Sequence, residues 1–516
     1  MVKVVIGNTS SRIVGHLPDE VHEDLDLVLS YTPPNAEFIT SVKEGKWDGR
    51  FRLYKRYYGQ SFDSGLLSFV LKILERHSIQ YSKQDERQIP PQNLPGLKFT
   101  PPSGYEERDY QQFTIDRAIK RTRGMLKIST GGGKTLIVNE LISRIKTVPF
   151  MFYVLTTDLM EQAYDTLSST LNEPIGRIGG GKFDIQKINV CTIQTAVMAV
   201  NLNNKKFRIS DYQYDEEDIW DKKMFQDEDK LENLRSLLKA TKGIYMDEAH
   251  HASSKSCQDV VRASPNAYWK FGGSATPYRE DGAEIVLQSL FGRKIVDISA
   301  SYLIENGYLV EPNIFFEPIE HDVKFNSYNK IYANCVVHNE DFNNHIADTA
   351  EFLINNKLST LILVQQINHG KILQSKIKDS ILVTSKMSGK NRKKSIQALR
   401  DKKCMCMIAT SLADEGLDIP SLNAVLLAGG GASATRVHQR IGRAIRKDKN
   451  NSKKKSIVIY YKHKVKYLND HAIKASKIMK EEPRFKIFKS NGPDHIIREI
   501  SEKVGIKCSQ KTIFNI

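Results

Sequence analysis

The chain has 516 residues, too many for one hydrophobic core, and this length predicts about three domains. Its formal charge of +16 and isoelectric point of about 9.3 predict a polyanionic partner, either nucleic acid or an anionic membrane surface. No apolar stretch approaches the roughly 20 residues of a membrane span, and the start lacks signal-peptide features, so we expect a cytoplasmic protein that does not enter a membrane.

Residues 1–100 mix short alternating runs with one stretch of helical spacing, SGLLSFVLKILERHSI, which predicts a small α+β domain. In the run KWDGRFRLY, aromatic and basic residues alternate as in a β ribbon that contacts nucleic acid. Trp47 would stack on a base or act as a wedge, while Arg50 and Arg52 would hold phosphate. Alternatively, Trp47 and Tyr54 are core residues of a small domain and the basic residues form a solvated face.

A proline-rich segment, residues 89–102, cannot sustain a helix or a central strand and predicts a linker. Residues 101–298 then alternate short apolar strands with helical segments, which is the pattern of a parallel α/β sheet, and residues 299–480 repeat it. An acidic stretch at about 202–240 interrupts the first series and predicts a surface insertion. Residues 481–516 are a C-terminal extension.

A glycine-rich run, ISTGGGKT, stands between a predicted strand and a predicted helix. In such a loop the backbone N–H groups surround phosphates, the lysine neutralises their charge and the hydroxyl ligates Mg²⁺. The strict pattern has glycine six residues before the lysine, where Ile128 stands here, so a turn that binds nothing is the alternative. The residues predicted to bind ATP are Thr130, Gly131, Gly132, Gly133, Lys134 and Thr135, with Thr135 also on the metal.

Two adjacent acids, Asp247 and Glu248, follow the apolar strand GIYM. Asp247 would hold Mg²⁺ through water, and Glu248 would orient and deprotonate the attacking water. Further along, Gln439, Arg443 and Arg446 are spaced to line one side of a helix. Arginines that enter from a second domain stabilise the transferred phosphoryl group only when a cleft closes, which couples hydrolysis to domain motion.

The order and spacing of these motifs resemble superfamily 2 helicases of the DExH class over about 105–480. The resemblance implies two tandem RecA-like parallel-sheet domains, and it accounts for Ile128 because these enzymes commonly replace the first glycine of the loop. It also implies further roles. Arg108 and Gln111 would read the adenine base, Ser274-Ala275-Thr276 would link the acids to the nucleic-acid groove, Gly416 and Asp418 would sense nucleotide, Thr410 would touch the strand, and His250 would meet Gln439 across the closed cleft.

Two segments after predicted strands offer hydroxyl and amide groups to a nucleic-acid backbone. Thr156 and Thr157 stand in one and Thr192 and Gln194 in the other, and the segments resemble motifs Ia and Ic. Helix capping is the alternative role for both threonine clusters. The glycines at 179–181 predict a loop that contacts DNA backbone or, alternatively, a flexible turn.

The WDG run, the paired threonines and the sequence YREDG at 278–282 resemble phage UvsW-like DNA helicases and, more distantly, XPB-type repair helicases. The resemblance implies a monomeric ATP- and Mg²⁺-dependent DNA motor of 3′–5′ polarity. It would remodel branched or forked DNA by fork regression, Holliday-junction branch migration and R-loop unwinding, and so also meet RNA in RNA–DNA hybrids. The alternatives are the translocase motor of a restriction or defence complex, an ATP-gated nucleic-acid clamp and an RNA helicase.

Overall fold

The structure is a computed structural model that describes most of the chain. It does not describe residues 35, 202–226, 276–281, 283, 324, 326, 385, 411–418, 420, 430–440, 443, 449, 450, 452, 453 and 507–516. The described chain divides into two compact units. One comprises residues 1–128 and 133–297, and the other comprises residues 298–516 with the short segment 129–132.

The first part of the chain forms a small sheet with helices packed on it. The sheet order is β5-β6-β2-β1-β7, in which β1 pairs antiparallel with β2 and parallel with β7, and β3 pairs with β4 in a separate two-stranded sheet. The strands are β1 Val2–Ile6, β2 Ser10–Val14, β3 Ser30–Tyr31, β4 Phe51–Arg52, β5 Tyr54–Lys55, β6 Ser61–Asp63 and β7 Tyr81–Asp85; the helices are Asp19–Val28, Thr40–Lys43 and Leu67–Arg76, with 3₁₀ turns Ala36–Phe38 and Ser64–Leu66.

An eight-stranded sheet of order β11-β10-β12-β9-β13-β14-β8-β15 follows, and its six central strands are mutually parallel. The strands are β8 Arg123–Ile128, β9 Phe150–Val154, β10 Ile175–Gly179, β11 Lys182–Asp184, β12 Ile188–Thr192, β13 Gly243–Met246, β14 Trp269–Ser274 and β15 Lys294–Ile298. The helices are Asp109–Arg121, Lys134–Ile145, Thr157–Thr170, Ile193–Asn201, Glu228–Ala240, Lys255–Arg262 and Glu284–Phe291, with a 3₁₀ turn Ala249–Ser253.

A seven-stranded parallel sheet of order β18-β19-β17-β20-β21-β16-β22 forms the second unit. Its strands are β16 Pro312–Ile319, β17 Thr360–Leu363, β18 Ile381–Val383, β19 Cys406–Ala409, β20 Ala424–Leu427, β21 Ser456–His463 and β22 Lys486–Lys489. The helices are Ala300–Glu305, Tyr328–Tyr332, Glu340–Asn355, Ile367–Lys376, Gly389–Arg400, Leu468–Met479 and Pro493–Val504, with a π turn Ala333–Val337. None of the helices in the described ranges is long and apolar enough to cross a bilayer.

The structure changes the interpretation of two predicted segments. Residues 228–240 of the predicted acidic insertion form a helix whose buried Leu231, Leu234 and Leu238 join the core of the first α/β sheet. This part is therefore an integral helix and not a surface insertion; the remainder lies almost wholly outside the described residues. In the predicted C-terminal extension, β22 is the edge strand of the second sheet, and Ile496 and Ile500 are buried in that sheet's core.

The small N-terminal sheet packs on the eight-stranded sheet through polar groups. The Lys270 ammonium donates a hydrogen bond to the Thr9 hydroxyl at 2.6 Å, and Arg262 pairs with Asp63 at 2.7 Å. Lys270 is 1% exposed, and burial, with the positive charge of Arg123 next, holds its pKa well below the usual value. The N-terminal region is therefore joined to the first α/β sheet by a buried polar interface.

Candidate ATP site and nucleic-acid interface

The predicted phosphate- and magnesium-binding residues follow the carboxyl ends of two parallel strands of one sheet. The glycine-rich loop follows β8, which ends at Ile128, and the acid pair follows β13, which ends at Met246. The sheet order places only β14 between these two strands, so both sets of residues lie at the same edge. Ligands of open α/β sheets bind at this edge because the loops there leave a crevice.

The glycine-rich loop has a backbone that requires glycine. Gly131 and Gly133 have φ angles of +83° and +77°, a region that other L-residues rarely adopt. A Cβ atom on Gly133 would also lie 2.8 Å from the amide nitrogen of Gln111. The helix that begins at Lys134 directs its N-terminus at the loop, and the Lys134 ammonium lies 3.4 Å from the carbonyl oxygen of Ile128. These features are those of a phosphate-binding loop.

Gln111 is buried beside the glycine-rich loop, at 1% exposure. Its side-chain oxygen accepts hydrogen bonds from the Tyr105 hydroxyl at 2.5 Å and from the Arg108 backbone N–H at 3.0 Å, while its amide nitrogen faces Gly133. The Arg108 guanidinium donates to the Tyr110 hydroxyl at 3.0 Å. Sequence reasoning missed Tyr105; the only available signal was an aromatic residue three positions before Arg108.

Asp247 carries the most perturbed carboxyl group of the site. Burial, followed by the neighbouring charge of Glu248, raises its pKa to about 6, whereas the Lys134 ammonium acts in the opposite direction. The Tyr245 hydroxyl donates a hydrogen bond to one carboxyl oxygen at 3.3 Å. A buried carboxylate beside a second carboxylate is electrostatically unfavourable until a cation binds. The position therefore suits a residue that holds Mg²⁺.

Glu248 adopts a left-handed backbone conformation, with φ +46° and ψ +45°, which is strained for a residue with a side chain. Its Oε2 atom is buried, lies 3.4 Å from the His250 Nδ1 atom and makes no hydrogen bond to any described residue. His250 Nδ1 also lies 3.1 Å from the Ser274 hydroxyl at the end of β14. The strained turn thus holds one carboxylate oxygen beside His250 and connects two neighbouring strands.

These residues fit ATP with Mg²⁺. Glycines of positive φ at a helix N-terminus, a lysine, a hydroxyl on Thr135 and two buried acids are the groups that a magnesium nucleotide requires. No group of three or more histidine, cysteine or acidic side chains within the described ranges could hold a metal ion.

The threonines predicted to contact nucleic acid lie at the same edge of the sheet. They stand at the ends of β9 and β12, the strands that follow β13 in the sheet order. Side chains added at Gly179 and Gly180 would collide with Thr192 and Thr157, so the glycine loop packs directly on both threonines. The Thr156 hydroxyl accepts a hydrogen bond from the Leu159 backbone N–H at 3.3 Å, which is helix capping. The glycine loop and both threonine segments, after β10, β9 and β12, therefore form one surface.

Among the remaining residues predicted to contact nucleic acid, Thr192 and Thr410 are buried. Thr192 is 2% exposed and its hydroxyl lies 2.8 Å from that of Thr195, whereas the Gln194 side-chain oxygen has no hydrogen-bond partner among the described residues. Thr410 is buried after β19 in the second unit. The carbonyl oxygen of Arg446 accepts a hydrogen bond from Lys454. Several other predicted site residues lie outside the described residues: Gly416, Asp418, Gln439, Arg443, Thr276 and most of the YREDG sequence.

The WDG run folds into a turn held by its own side chains. The Trp47 indole N–H donates to the Arg50 carbonyl at 3.1 Å, and the indole packs edge-on against Phe51 at 4.8 Å. Arg52 makes two hydrogen bonds to the Asp48 carboxylate, which lower the pKa of Asp48 to about 2. The structure therefore gives Arg52 a role in holding the turn, and it leaves Arg50 exposed to solvent.

Two family descriptions match the chain. "Type III restriction enzyme, res subunit" matches residues 104–279, and "Helicase conserved C-terminal domain" matches residues 344–448. Both matches fall on the parallel-sheet regions and leave the N-terminal sheet outside.

Three curated relatives are similar to the chain in sequence. The chain is 26% identical over 387 residues to helicase 22 of the Sulfolobus islandicus filamentous virus, covering 70% of the chain and 65% of that protein. It is 24% identical over 382 residues to the DNA 3'-5' translocase XPB2 of Sulfurisphaera tokodaii, covering 66% and 79%. It is 24% identical over 461 residues to the ATP-dependent DNA helicase uvsW of Enterobacteria phage T4, covering 83% and 84%.

The fold also has solved counterparts. The structure of S. cerevisiae Dbp5 bound to RNA and ADP BeF3 matches with a TM-score of 0.54 at 14% identity, covering 80% of this chain and 94% of that one. At such low identity the likeness concerns the fold alone, and it confirms the predicted RecA-like parallel-sheet architecture. With the motifs at the edge of the eight-stranded sheet and the relatives above, it follows that the chain belongs to the superfamily 2 helicases and is similar to UvsW and to XPB-type helicases.

Proposed function

We propose that this ATP-dependent helicase is a DNA motor of 3′–5′ polarity that remodels branched DNA by fork regression, Holliday-junction branch migration and R-loop unwinding. The observation that carries the proposal is the common edge of the eight-stranded sheet, where the ATP residues after β8 and β13 adjoin the threonine and glycine loops after β9, β10 and β12. A change at the nucleotide can reach a bound strand through these adjacent loops.

The relatives support the finer parts of the proposal. One is named a DNA helicase and another a DNA 3'-5' translocase, which favours DNA over RNA and supports the polarity. The basic character of the chain, with a net charge of +16, suits binding that depends mainly on phosphates. The exposed basic turn around Arg50 supplies a surface outside the two parallel sheets, as recognition of a branch point requires.

In the proposed reaction, backbone N–H groups of the glycine-rich loop and the Lys134 ammonium bind the phosphates of ATP. Thr135 and Asp247 would hold Mg²⁺, which would supply positive charge to the transferred phosphoryl group. Glu248 would accept a proton from the attacking water through its buried Oε2 atom, which makes no hydrogen bond to any described residue. By the sequence pattern, Arg443 and Arg446 would stabilise the charge on the transferred phosphoryl group. The His250–Ser274 contact connects the acid turn to β14 and thereby to the segment that follows it.

ATPase assays with and without DNA test the motor. We expect Lys134→Ala to lose nucleotide binding, and Glu248→Gln to keep binding while its DNA-stimulated rate falls roughly 10²- to 10⁴-fold, as for loss of a general base. Glu232→Gln, on an exposed helix position, is the matched control and should behave as wild type. Unwinding is then measured on single strands, duplexes, forks, four-way junctions and R-loops. Stimulation by single-stranded RNA alone would refute the DNA assignment.

A second candidate function is the translocase motor of a restriction or defence complex. It is favoured by the match of residues 104–279 to the res subunit of type III restriction enzymes. Such a motor would move on duplex DNA for a nuclease on another chain. Triplex displacement from a blunt duplex, without unwinding of forks or junctions by the isolated protein, would support this candidate over the first.

A further inference from the structure

Exposed aromatic side chains are concentrated in one short segment of the N-terminal region. Phe38, Phe51, Tyr57 and Tyr58 are 65%, 46%, 87% and 81% exposed. Among the described residues, Phe113 is the only other aromatic side chain exposed to a comparable degree. Isolated exposed apolar groups are common on protein surfaces, but four exposed aromatic rings within 21 residues of chain indicate a binding surface, here called the patch.

The two most exposed rings stand on a rigid support. Tyr57 and Tyr58 lie in the turn that joins β5 to β6, two antiparallel strands of the N-terminal sheet. Beneath the turn, the buried Tyr54 hydroxyl lies 2.9 Å from His22 Nδ1, which connects β5 to the helix Asp19–Val28. A binding group on a fixed scaffold loses little conformational freedom when its ligand arrives.

The segment also follows the helix Asp19–Val28 along its length. Arg52 lies 3.9 Å from Asp26, and Arg56 pairs with Asp19 seven residues earlier on the same helix. Seven residues of helix span about 10 Å. The two anchor points on the helix are therefore separated by roughly the length of three nucleotides of a strand at 3.4 Å each.

The charge of the segment suits a nucleic acid. Residues 38–58 contain six basic and two acidic residues, so the segment is net positive. Both acids, Glu44 and Asp48, are already paired within the segment, with Lys46 and Arg52. Arg50 and Lys55 have no acidic partner among the described residues; along the chain Arg50 precedes both anchors and Lys55 lies between them. Exposed rings beside unpaired cations are the components of a surface for single-stranded nucleic acid.

We propose that Tyr57 and Tyr58 stack on unpaired bases of the DNA arm that emerges from a fork or junction, while Arg50 and Lys55 contact its phosphates. Aromatic rings bind the faces of bases, and a duplex hides these faces everywhere except at its ends. The occupant is therefore an unpaired strand of at least about three nucleotides. This site rests on the proposed function and identifies the residues that would distinguish a branch point from plain duplex.

The test compares Tyr57→Ala/Tyr58→Ala with Tyr57→Phe/Tyr58→Phe, which keeps both rings, in the full chain. Affinity is measured by fluorescence anisotropy for a dT oligonucleotide, a blunt duplex and a fork with unpaired arms, over a range of salt concentrations. We expect the alanine variant to bind the fork and the oligonucleotide roughly tenfold more weakly per ring lost, with duplex binding unchanged. Its salt dependence should stay as in wild type, because no phosphate contact is removed, whereas Arg50→Gln should lower it.

Leu27→Ala, at an exposed apolar position of the same domain, is the control for removing surface area and should leave all affinities unchanged. Equal weakening for duplex and fork, or full loss of affinity in the phenylalanine variant, would overturn the stacking role. If the proposed function as a DNA motor is wrong, the result is different, because the ATPase activity of the wild-type protein would then not respond to DNA at all. The alanine variant should keep the maximal DNA-stimulated ATPase rate and need more DNA to reach it.

Discussion

Asp247 shows how one residue's surroundings prepare it for a metal. Burial and the adjacent Glu248 raise its pKa to about 6, so near that pH a substantial fraction of the free protein carries a proton on this carboxyl group. A bound divalent cation favours the ionised form, because it supplies the positive charge that the site lacks. Binding of Mg²⁺ with nucleotide should therefore displace this proton.

The first prediction is proton release on nucleotide binding. At pH 6, binding of Mg²⁺ with a non-hydrolysable ATP analogue should release about half a proton from Asp247, and at pH 8 almost none, because the carboxyl group is already ionised. Calorimetry in buffers of different ionisation enthalpy measures the number of protons. Asp247→Asn should remove the pH-dependent part. Equal release at pH 6 and pH 8 in the native protein would contradict it.

For single residues, the sequence predicts those roles that depend on neighbouring positions along the chain, such as the roles of Lys134 and the acid pair. It does not identify Tyr105 as a partner of Gln111, since a tyrosine before a helix has many other uses. It predicts that Arg52 contacts phosphate, which stays a prediction, and it does not show that Arg52 pairs with Asp48 and lies near Asp26. Charged side chains compete among several partners, and that competition is decided by three-dimensional proximity.

Histidines at the carboxyl ends of β16 and β21 form a buried group in the second unit. His463 Nδ1 lies 2.8 Å from His321 Nε2, and burial lowers the pKa of His463 to about 3. Burial also lowers the pKa of His369 to about 4, and its Nε2 atom lies 2.9 Å from Asn343. These rings are stable inside the fold only in the neutral form.

The second prediction is that acid selectively destabilises the second unit. The folded-state pKa values lie below the ordinary value of 6.5, so the unfolded chain binds more protons and stability falls as the pH drops below about 6.5. By pH 4.5 the loss should be on the order of a few kcal/mol. Glu317, whose pKa burial raises, partly opposes this trend as the pH falls toward 4.5, because the folded chain binds that proton before the unfolded chain does. Hydrogen exchange of β21 measures the change.

Replacement of one buried histidine provides the control. His463→Leu should flatten the dependence of β21 protection between pH 6.5 and 4.5, because one depressed titration is removed. Tryptophan fluorescence is a separate readout of the first unit, since Trp47, Trp220 and Trp269 all precede residue 298. Loss of the tryptophan signal before loss of β21 protection would show that acid acts elsewhere.

The third prediction concerns the contact between the N-terminal sheet and the helix Lys255–Arg262. Asp63 and Arg262 form two hydrogen bonds, at 2.7 and 3.3 Å, and both side chains are mostly buried. A double-mutant cycle with Asp63→Ala and Arg262→Ala should give a coupling of about 1–2 kcal/mol in thermal or denaturant unfolding of the first unit. The exposed pair Arg498–Glu502 of the second unit is the comparison, and its coupling, measured on the unfolding of that unit, should be smaller.

Over the whole molecule, the alternation of strands and helices predicted both parallel sheets correctly, because buried strands of such sheets are short continuous apolar runs. The sequence did not predict that the helix Glu228–Ala240 belongs to a core, because its acidic flank conceals three leucines at helical spacing. Nor did it predict that Lys270 lies buried against Thr9, 261 residues away. A buried lysine has no signature in sequence, since its environment is made by distant residues.

The last prediction follows from that interface. Deletion of residues 1–88 should expose Lys270 and the backbone of the helix Glu284–Phe291, whose carbonyl oxygens approach Gly65 so closely that a Cβ atom there would lie 2.1 Å from one of them. We expect the truncated chain to melt at a lower temperature and to lose basal ATPase activity, whereas Tyr57→Ala/Tyr58→Ala keeps both. Differential scanning fluorimetry and ATPase assays without DNA measure the two effects. A truncated chain with the melting temperature of the native protein would mean that the N-terminal region is an independent module and not part of the first unit's structure.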